Sequence, residues 1–382
     1  MSGSKEETVL RGLLESADIK INGDRPWDIQ VLNAGFYQRV FSGGSLALGE
    51  SYMDGWWECP ALDRMFTRLL KNRIPEKAVT VIKHAPRAGL KALVFNAQNR
   101  TKAFIVGKRH YDIGNDLFMA MLDRDMNYSC AYWHDAATLD DAQRAKVELI
   151  CRKIGLKPGM TVLDIGCGWG GFIKHAVCNH GARVLGVTVS REQVEYVQCE
   201  CREPGVRVKL MDYRDLDEKF DAVVSVGMFE HVGYKNYRTY MKTVHRCLKP
   251  GGIFLLHTIG GNQSTKSLDP WIGKYIFPNS MLPSAKQITD AAEGLFVLED
   301  WHSFGHYYDK TLMAWYDNFT ANWARLKANY SERFFRMWTY YLLSCAGSFR
   351  AKMNQLWQIV FSNNGIEGVF RNSDQFFVPG SR

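Results

Sequence analysis

The sequence has no apolar run long enough to cross a bilayer. Its longest, such as Gly252–Leu256 and Tyr340–Leu343, fall far short of the roughly 20 residues a spanning helix needs. No apolar stretch follows the opening Met1-Ser-Gly-Ser-Lys-Glu-Glu7 either, so a secretory signal is not expected and the chain reads as cytoplasmic. Cysteine occurs nine times without a paired framework. Only Cys199 and Cys201 stand close together, and an odd total fits reduced thiols. Two Cys-x-x-Cys pairs, or cysteines with histidines at ligand spacing, are missing, so no metal site is expected. Repeats and low-complexity tracts are absent too.

Acid is missing from one region. Between Arg64 and Arg109 stand twelve basic residues and a single acid, Glu76, a net +11 in a chain whose total is +8. Basic and apolar residues alternate there, as in Arg87-Ala-Gly-Leu-Lys-Ala-Leu-Val-Phe95, interrupted at Pro86. Two readings fit: a solvated basic face, or a platform for anionic lipid headgroups, where each basic residue contributes about 1 kcal/mol. No nucleic-acid-binding motif accompanies the charge, so nucleic acid is not expected as a partner.

What is present divides into two textures. Residues 1–95 read as a small helical domain, with helical spacing in Val9–Ala17 and Ala61–Leu70 and turn-rich Gly43-Gly44 between them. Residues 96–382 read as the catalytic domain. Short Val/Ile/Leu-rich runs at Thr161–Ile165, Arg183–Val189, Arg207–Met211, Asp221–Val226 and Gly252–His257 alternate with helical segments. That rhythm predicts an α/β fold with a doubly wound, mostly parallel sheet. The aromatic tail after Tyr307 reads as a helical extension over the mouth of the sheet.

The first run leads into Asp164-Ile-Gly166-Cys-Gly168-Trp-Gly170-Gly171. Gly166, Gly168 and Gly171 satisfy G-x-G-x-x-G, which on its own is weak evidence for a dinucleotide. Asp164 argues against one, because its carboxylate repels a pyrophosphate but suits a sulfonium or amino group. The end of the second run, Gly186-Val-Thr188-Val-Ser190, also lacks the acid that binds an NAD ribose. S-adenosylmethionine, cationic at sulfur and without phosphate, fits better. Asp212 and Tyr213, after the third run, fall where that topology places the adenosine, with Tyr213 able to stack on the base.

Further strings extend the comparison: Tyr128-Ser-Cys130-Ala-Tyr-Trp133, His110-Tyr-Asp-Ile-Gly-Asn-Asp116, Met228-Phe-Glu230-His-Val-Gly233, Leu255-Leu-His257-Thr-Ile259-Gly260, Leu312-Met-Ala-Trp-Tyr316 and Gly49-Glu-Ser-Tyr-Met-Asp-Gly-Trp56. Together with the glycine loop and Gly186–Ser190, and in the order these strings hold along the chain, the sequence resembles the cyclopropane-fatty-acyl-phospholipid synthases. The resemblance implies a class I methyltransferase (Rossmann-like) fold and transfer of methyl from S-adenosylmethionine to the cis double bond of an acyl chain in a membrane phospholipid. Ring closure follows, with bound bicarbonate as the proton acceptor. It implies Cys130, Glu230, His257, the Ile259 backbone N–H and Tyr308 around that ion. The cofactor contacts it implies are Gly166, Gly168, Thr188, Gln193, Tyr213 and Arg214, beside Asp164. It is compatible with a homodimer and with peripheral association at the inner face of a membrane.

Alternatives stay open at this point. Methyl transfer without ring closure gives a methyl- or methylene-branched chain instead. Cys130 also reads as a small core residue, and His257 as a satisfied core histidine at the end of a buried strand. Glu230 stands just after the fourth strand, where α/β proteins place ligands. A non-catalytic lipid-binding protein on the same fold is disfavoured by the intact glycine loop and Glu230.

Overall fold

The computed structural model describes residues 4–81, 114–368 and 370. The proposed boundary at residue 95, most of the basic segment and the start of the His110–Asp116 string lie outside the described residues.

Among the described residues the N-terminal unit contains α1 (Lys5–Glu15), α2 (Phe36–Met53), α3 (Leu62–Lys71) and α4 (Ile74–Val81), with a two-stranded ribbon of β1 (Gln30–Val31) and β2 (Trp57–Glu58). Gly43-Gly44, expected to be a turn between elements, instead lies inside α2. Gly44 there takes φ +57° and ψ −139°, a conformation open to glycine, and the helix kinks and continues. Arg64 and Arg68, the first two residues of the basic segment, sit 4.3 and 3.9 Å above the Trp27 ring. They therefore hold this unit together as well as charging it.

Among the described residues after 113, the first helices are α5 (Asn115–Met121) and α6 (Leu139–Lys153). Thr138 caps α6, its hydroxyl accepting from the Asp141 N–H at 3.2 Å, and Asp140 and Asp141 complement the positive helix end. Strand and helix then alternate: β3 (Thr161–Ile165), α7 (Gly171–His180), β4 (Arg183–Thr188), α8 (Arg191–Glu200), β5 (Val206–Leu210), β6 (Phe220–Val226), α9 (Tyr237–Cys247) and β7 (Leu248–Gly261). The five runs expected as strands all form strands. Strand β7 runs past His257 to Gly261, so His257 is inside the strand and not at its end.

After α10 (Pro270–Tyr275) and α11 (Ala285–Ala292) come β8 (Val297–Ser303), α12 (His306–Ala321), α13 (Trp323–Leu326), α14 (Glu332–Arg350) and β9 (Asn354–Ser362). The tail is thus more than a cover. Strand β9 inserts antiparallel between β7 and β8, completing a seven-stranded sheet of order β5-β4-β3-β6-β7-β9-β8 whose other strands are parallel. The helical reading failed there because β9 (Asn-Gln-Leu-Trp-Gln-Ile-Val-Phe-Ser) is buried on both faces and follows a long aromatic helix directly. Among the described residues no helix is long and apolar enough to cross a membrane.

Helix α14 joins the two units. It packs on α3 and α12, and one buried cluster runs from Leu14, Phe36, Trp57 and Met65 to Phe118, Trp315 and Trp338. The Arg336 guanidinium donates to the Tyr52 and Trp57 carbonyls and pairs with Glu58 at 2.6 Å. Arg350 pairs with Asp63 of α3 at 2.5 Å and Asp309 of α12 at 2.7 Å.

At Gly347 the α3 and α14 backbones approach so closely that a Cβ would lie 2.8 Å from the Asp63 carbonyl oxygen and 2.7 Å from the Phe66 Cβ. Gly347→Val is expected to destabilise the protein by about 2–3 kcal/mol through overpacking, read as a lower thermal midpoint. An unchanged midpoint would mean this contact does not hold the N-terminal unit to the sheet.

Candidate active site

Strand β3 has β4 on one side and β6 on the other, so the chain changes direction across the sheet between β3 and β6. In open α/β sheets the crevice at the carboxyl end of such a switch point is the ligand site. The glycine loop leaves β3 there. Gly166 takes φ +84°, and a Cβ on it would lie 2.6 Å from the Met228 Cγ. Gly168 takes φ +55° and borders open space.

Asp164, one residue before the end of β3, is buried, and its Oδ1 has no hydrogen-bond partner among the described residues. Burial pushes this carboxyl up to about 7, and the charge of Lys146 opposes the rise. Lys146 is itself buried on α6, donating to Asn127 Oδ1 at 3.1 Å and Ser129 Oγ at 3.0 Å. Burial pulls its ammonium down to about 8.

At the end of β4, the Thr188 hydroxyl donates to Gln193 Oε1 at 2.7 Å, which leaves the Gln193 Nε2 buried and unpartnered. After β5, Asp212 Oδ1 accepts from the Arg214 N–H and Nε–H at 3.0 and 2.9 Å, and its Oδ2 stays unpartnered. The Tyr213 ring lies edge-on to Tyr240 at 5.0 Å, inside a buried cluster. Asp164, Gly166, Gly168, Thr188, Gln193, Tyr213 and Arg214 all line one cavity. Two orphaned carboxylate oxygens around a glycine turn suit the N–H and O–H donors of a cationic ligand, and the orphaned Gln193 amide N–H suits an acceptor on it. A pyrophosphate would meet two negative charges there.

Of the residues carried over for chemistry, Glu230, Ile259 and Tyr308 line the same cavity. Glu230 sits on a short 3-10 turn (Phe229–His231) after β6, and burial pushes its carboxyl up to about 7. The Ile259 N–H, expected to face the bound anion, instead donates to Glu230 Oε1 at 2.6 Å, because the turn lies beside β7. Glu230 Oε2 finds no partner. Burial, then the nearby Cys130, Tyr128 and Glu230, pushes the Tyr308 hydroxyl up, so it remains protonated.

Cys130 and His257 do not reach the cavity wall. The Cys130 thiol is buried, donates to the Ala131 carbonyl at 3.3 Å and is pushed well up by burial. His257 stands two residues before Ile259 and so on the same face of β7. Its Nδ1 is 3.2 Å from Gln358 Nε2 across the β7–β9 pairing, its Nε2 is unpartnered, and burial holds it neutral.

Sequence reasoning passed over Lys146 and His231. Lys146 falls on the apolar spacing Leu139, Ala142, Gln143, Lys146, Ile150 of α6, and a lysine on a buried helical face was the available signal. His231 lines the cavity with Nδ1 2.8 Å from Ser280 Oγ, and burial pulls it down to about 4.

The cavity measures about 860 Å³, near the upper end of ligand pockets. From the glycine loop it continues past Phe277 and Tyr340 to Leu14, Phe36, Leu69 and Ile74 of the N-terminal helices. A cofactor site and an apolar channel therefore share one space.

The chain matches the family described as mycolic acid cyclopropane synthetase over residues 98–359. It is 55% identical over 363 residues, 94% of both chains, to the cyclopropane-fatty-acyl-phospholipid synthase of Escherichia coli K12. The cyclopropane synthase MmaA2 from Mycobacterium tuberculosis superposes with a TM-score of 0.64 at 32% identity, covering 68% of this chain and 98% of that one. The mycolic acid cyclopropane synthase CmaA1, solved with SAH and CTAB, gives 0.63 at 34% identity with the same coverage. Sheet order, glycine loop and these likenesses agree: the chain belongs to the mycolic acid cyclopropane synthetase family and is an S-adenosylmethionine-dependent methyltransferase.

Proposed function

We propose that this protein transfers a methylene unit from S-adenosylmethionine to the cis double bond of an unsaturated acyl chain in a membrane phospholipid, closing a cyclopropane ring. The observation that carries the reading is the single apolar cavity that joins the glycine loop, Glu230 and the N-terminal helices. The name of the Escherichia coli relative, matched along nearly the whole chain, supports a phospholipid acyl chain as acceptor.

When bound, S-adenosylmethionine supplies an electrophilic methyl to the alkene, and bicarbonate supplies a base for the proton that leaves it. The residues suit both. Asp164 lies beside the loop as a counter-charge, and Gln193 and Asp212 offer their orphaned atoms to the ligand's polar groups. Two neutral donors at the cavity serve a small anion, protonated Glu230 and the Tyr308 hydroxyl, while Gln358 donating to Nδ1 fixes the neutral tautomer of His257 behind them. An ionised Glu230 would repel that anion, so its raised pKa is part of the fit. Cys130 stays a thiol and cannot trap a cation on the substrate. His257 and Cys130 act from behind the wall, as positioning residues.

The N-terminal unit, assigned to residues 1–95, forms the far end of the channel. Its basic segment would bring the enzyme to an anionic bilayer surface at the inner face of the membrane, with residues 96–382 as the catalytic domain. A homodimer is compatible with this arrangement.

Incubation with S-adenosylmethionine, bicarbonate and vesicles of a cis-monounsaturated anionic phospholipid is expected to add one CH2 per product chain. Proton NMR should show upfield ring signals and loss of olefinic ones. The same mass gain with the alkene retained would replace ring closure by branching. No gain from protein that binds the cofactor would rule out a membrane lipid as acceptor.

Glu230→Ala, which removes this donor, should lower kcat by about 10²–10³-fold while leaving cofactor affinity within a few-fold. A variant of wild-type activity would remove Glu230 from the chemistry.

Stability should move the other way. The Glu230 carboxyl rises from 4.5 to about 7 on folding, so it favours folding fully only below about 4.5. That contribution fades as pH rises from 4.5 towards 7, and above 7 the buried carboxylate opposes folding. At pH 8 Glu230→Gln should therefore be the more stable protein by up to about 3 kcal/mol. The difference should vanish near pH 4.5. Urea denaturation at the two pH values measures it, and a less stable variant at pH 8 would show that Glu230 is not desolvated as described.

A further inference from the structure

Away from the cavity, α6 and α7 bring four side chains together. Glu148 and Cys151 stand three residues apart on one face of α6, and His175 and His180 come from the middle and the end of α7. The Cys151 Sγ and one nitrogen from each histidine all lie within 4.8 Å of one another. Glu148 Oε2 is 3.0 Å from Nε2 of both histidines, and the two rings are 5.6 Å apart. Burial works against the Glu148 charge, but the hydrogen bonds from His175 and His180 hold its carboxyl below the ordinary range, so it is ionised.

A thiol beside two imidazoles and a carboxylate completes a four-donor set of a kind that binds zinc. In a tetrahedral zinc site, bonds of about 2.0–2.3 Å give donor-to-donor edges of about 3.4–3.6 Å. The 3.0 Å edges here need to open by a few tenths of an ångström, and the sulfur edges to close. Asn179 also lies against His175, its amide 3.0 Å from Nδ1. Turned so that its oxygen accepts from Nδ1–H, that amide fixes the tautomer whose Nε2 lone pair faces the cluster.

We propose that Glu148, Cys151, His175 and His180 form a binding site for a zinc-class divalent cation. One thiol, two imidazoles and a carboxylate are a donor set for zinc or cobalt(II) and not for magnesium or calcium. Binding expels the Cys151 proton to solvent and replaces the Glu148–histidine hydrogen bonds with bonds to the metal. The site is a staple. It ties α6, whose Lys146 and Ile150 line the cavity, to α7, which starts at Gly171 directly after the glycine loop. It does not depend on the acceptor assigned above.

Full-length protein, stripped with chelator and dialysed, is titrated with cobalt(II). One equivalent should bind with tetrahedral d–d bands and a near-ultraviolet thiolate-to-cobalt band, zinc should displace it, and the thermal midpoint should rise. Cys151→Ser should lose the thiolate band, and the part-exposed pair His175→Gln/His180→Gln should bind at least 100-fold more weakly. Both variants should melt in chelator like the wild type, which separates lost ligation from lost folding; if Cys151→Ser does not, the histidine pair decides alone. Absence of binding by the wild type, a thiolate band that survives Cys151→Ser, or unchanged affinity in the histidine pair would overturn the site.

Discussion

Desolvation of titratable groups at the carboxyl ends of β3 and β6 is the constraint on which the rest depends. Asp164, Lys146 and Glu230 are all buried, and Asp164 Oδ1 and Glu230 Oε2 lack partners among the described residues. Each such group opposes folding until a ligand meets it. The surrounding packing must offset that cost, and the aromatic cluster from Trp57 to Trp338 does so by large-scale apolar burial. The same dryness is what the chemistry needs. An electrophilic methyl and a cation on the substrate survive only where water and ionised nucleophiles are kept away.

The N-terminal helices line the same cavity as the glycine loop and Glu230. They share a core with α12 and α14, and they supply the apolar end of the cavity. Arg336 and Arg350 lock them on with pairs to Glu58, Asp63 and Asp309. Rigid attachment matters for a reaction whose outcome depends on where an alkene sits relative to a donor methyl and a base. The apolar end of the channel excludes water, and the polar end at the glycine loop orients the cofactor.

Much of the fold was legible in the sequence because periodicity and glycine chemistry are local signals. The five central strands, the loop after β3 and the carboxyl-end position of Glu230 follow from patterns within about ten residues. Strand β9 was not legible, since a strand buried on both faces has no alternation, and only its pairing with β7 and β8 reveals it. The kink at Gly44 reads as a turn in the sequence because a glycine pair looks the same in either setting until flanking helices are packed. Lys146 was missed because one lysine on an apolar helical face looks like an interruption until Asn127 and Ser129 are found opposite it.

The sequence by itself determined the class of cofactor, the five strands that hold it, and the family, because those depend on short strings whose residue types are dictated by backbone geometry and ligand charge. Tertiary structure alone decided which groups face one another. It turned the Ile259 N–H onto Glu230, set Cys130 and His257 behind the wall, opened the cavity to the N-terminal helices, and gathered Glu148, Cys151, His175 and His180 at one place. The reason is physical: hydrogen bonding, desolvation and coordination fall off within a few ångströms, and residues far apart in the chain reach that range only after the helices and sheet have packed.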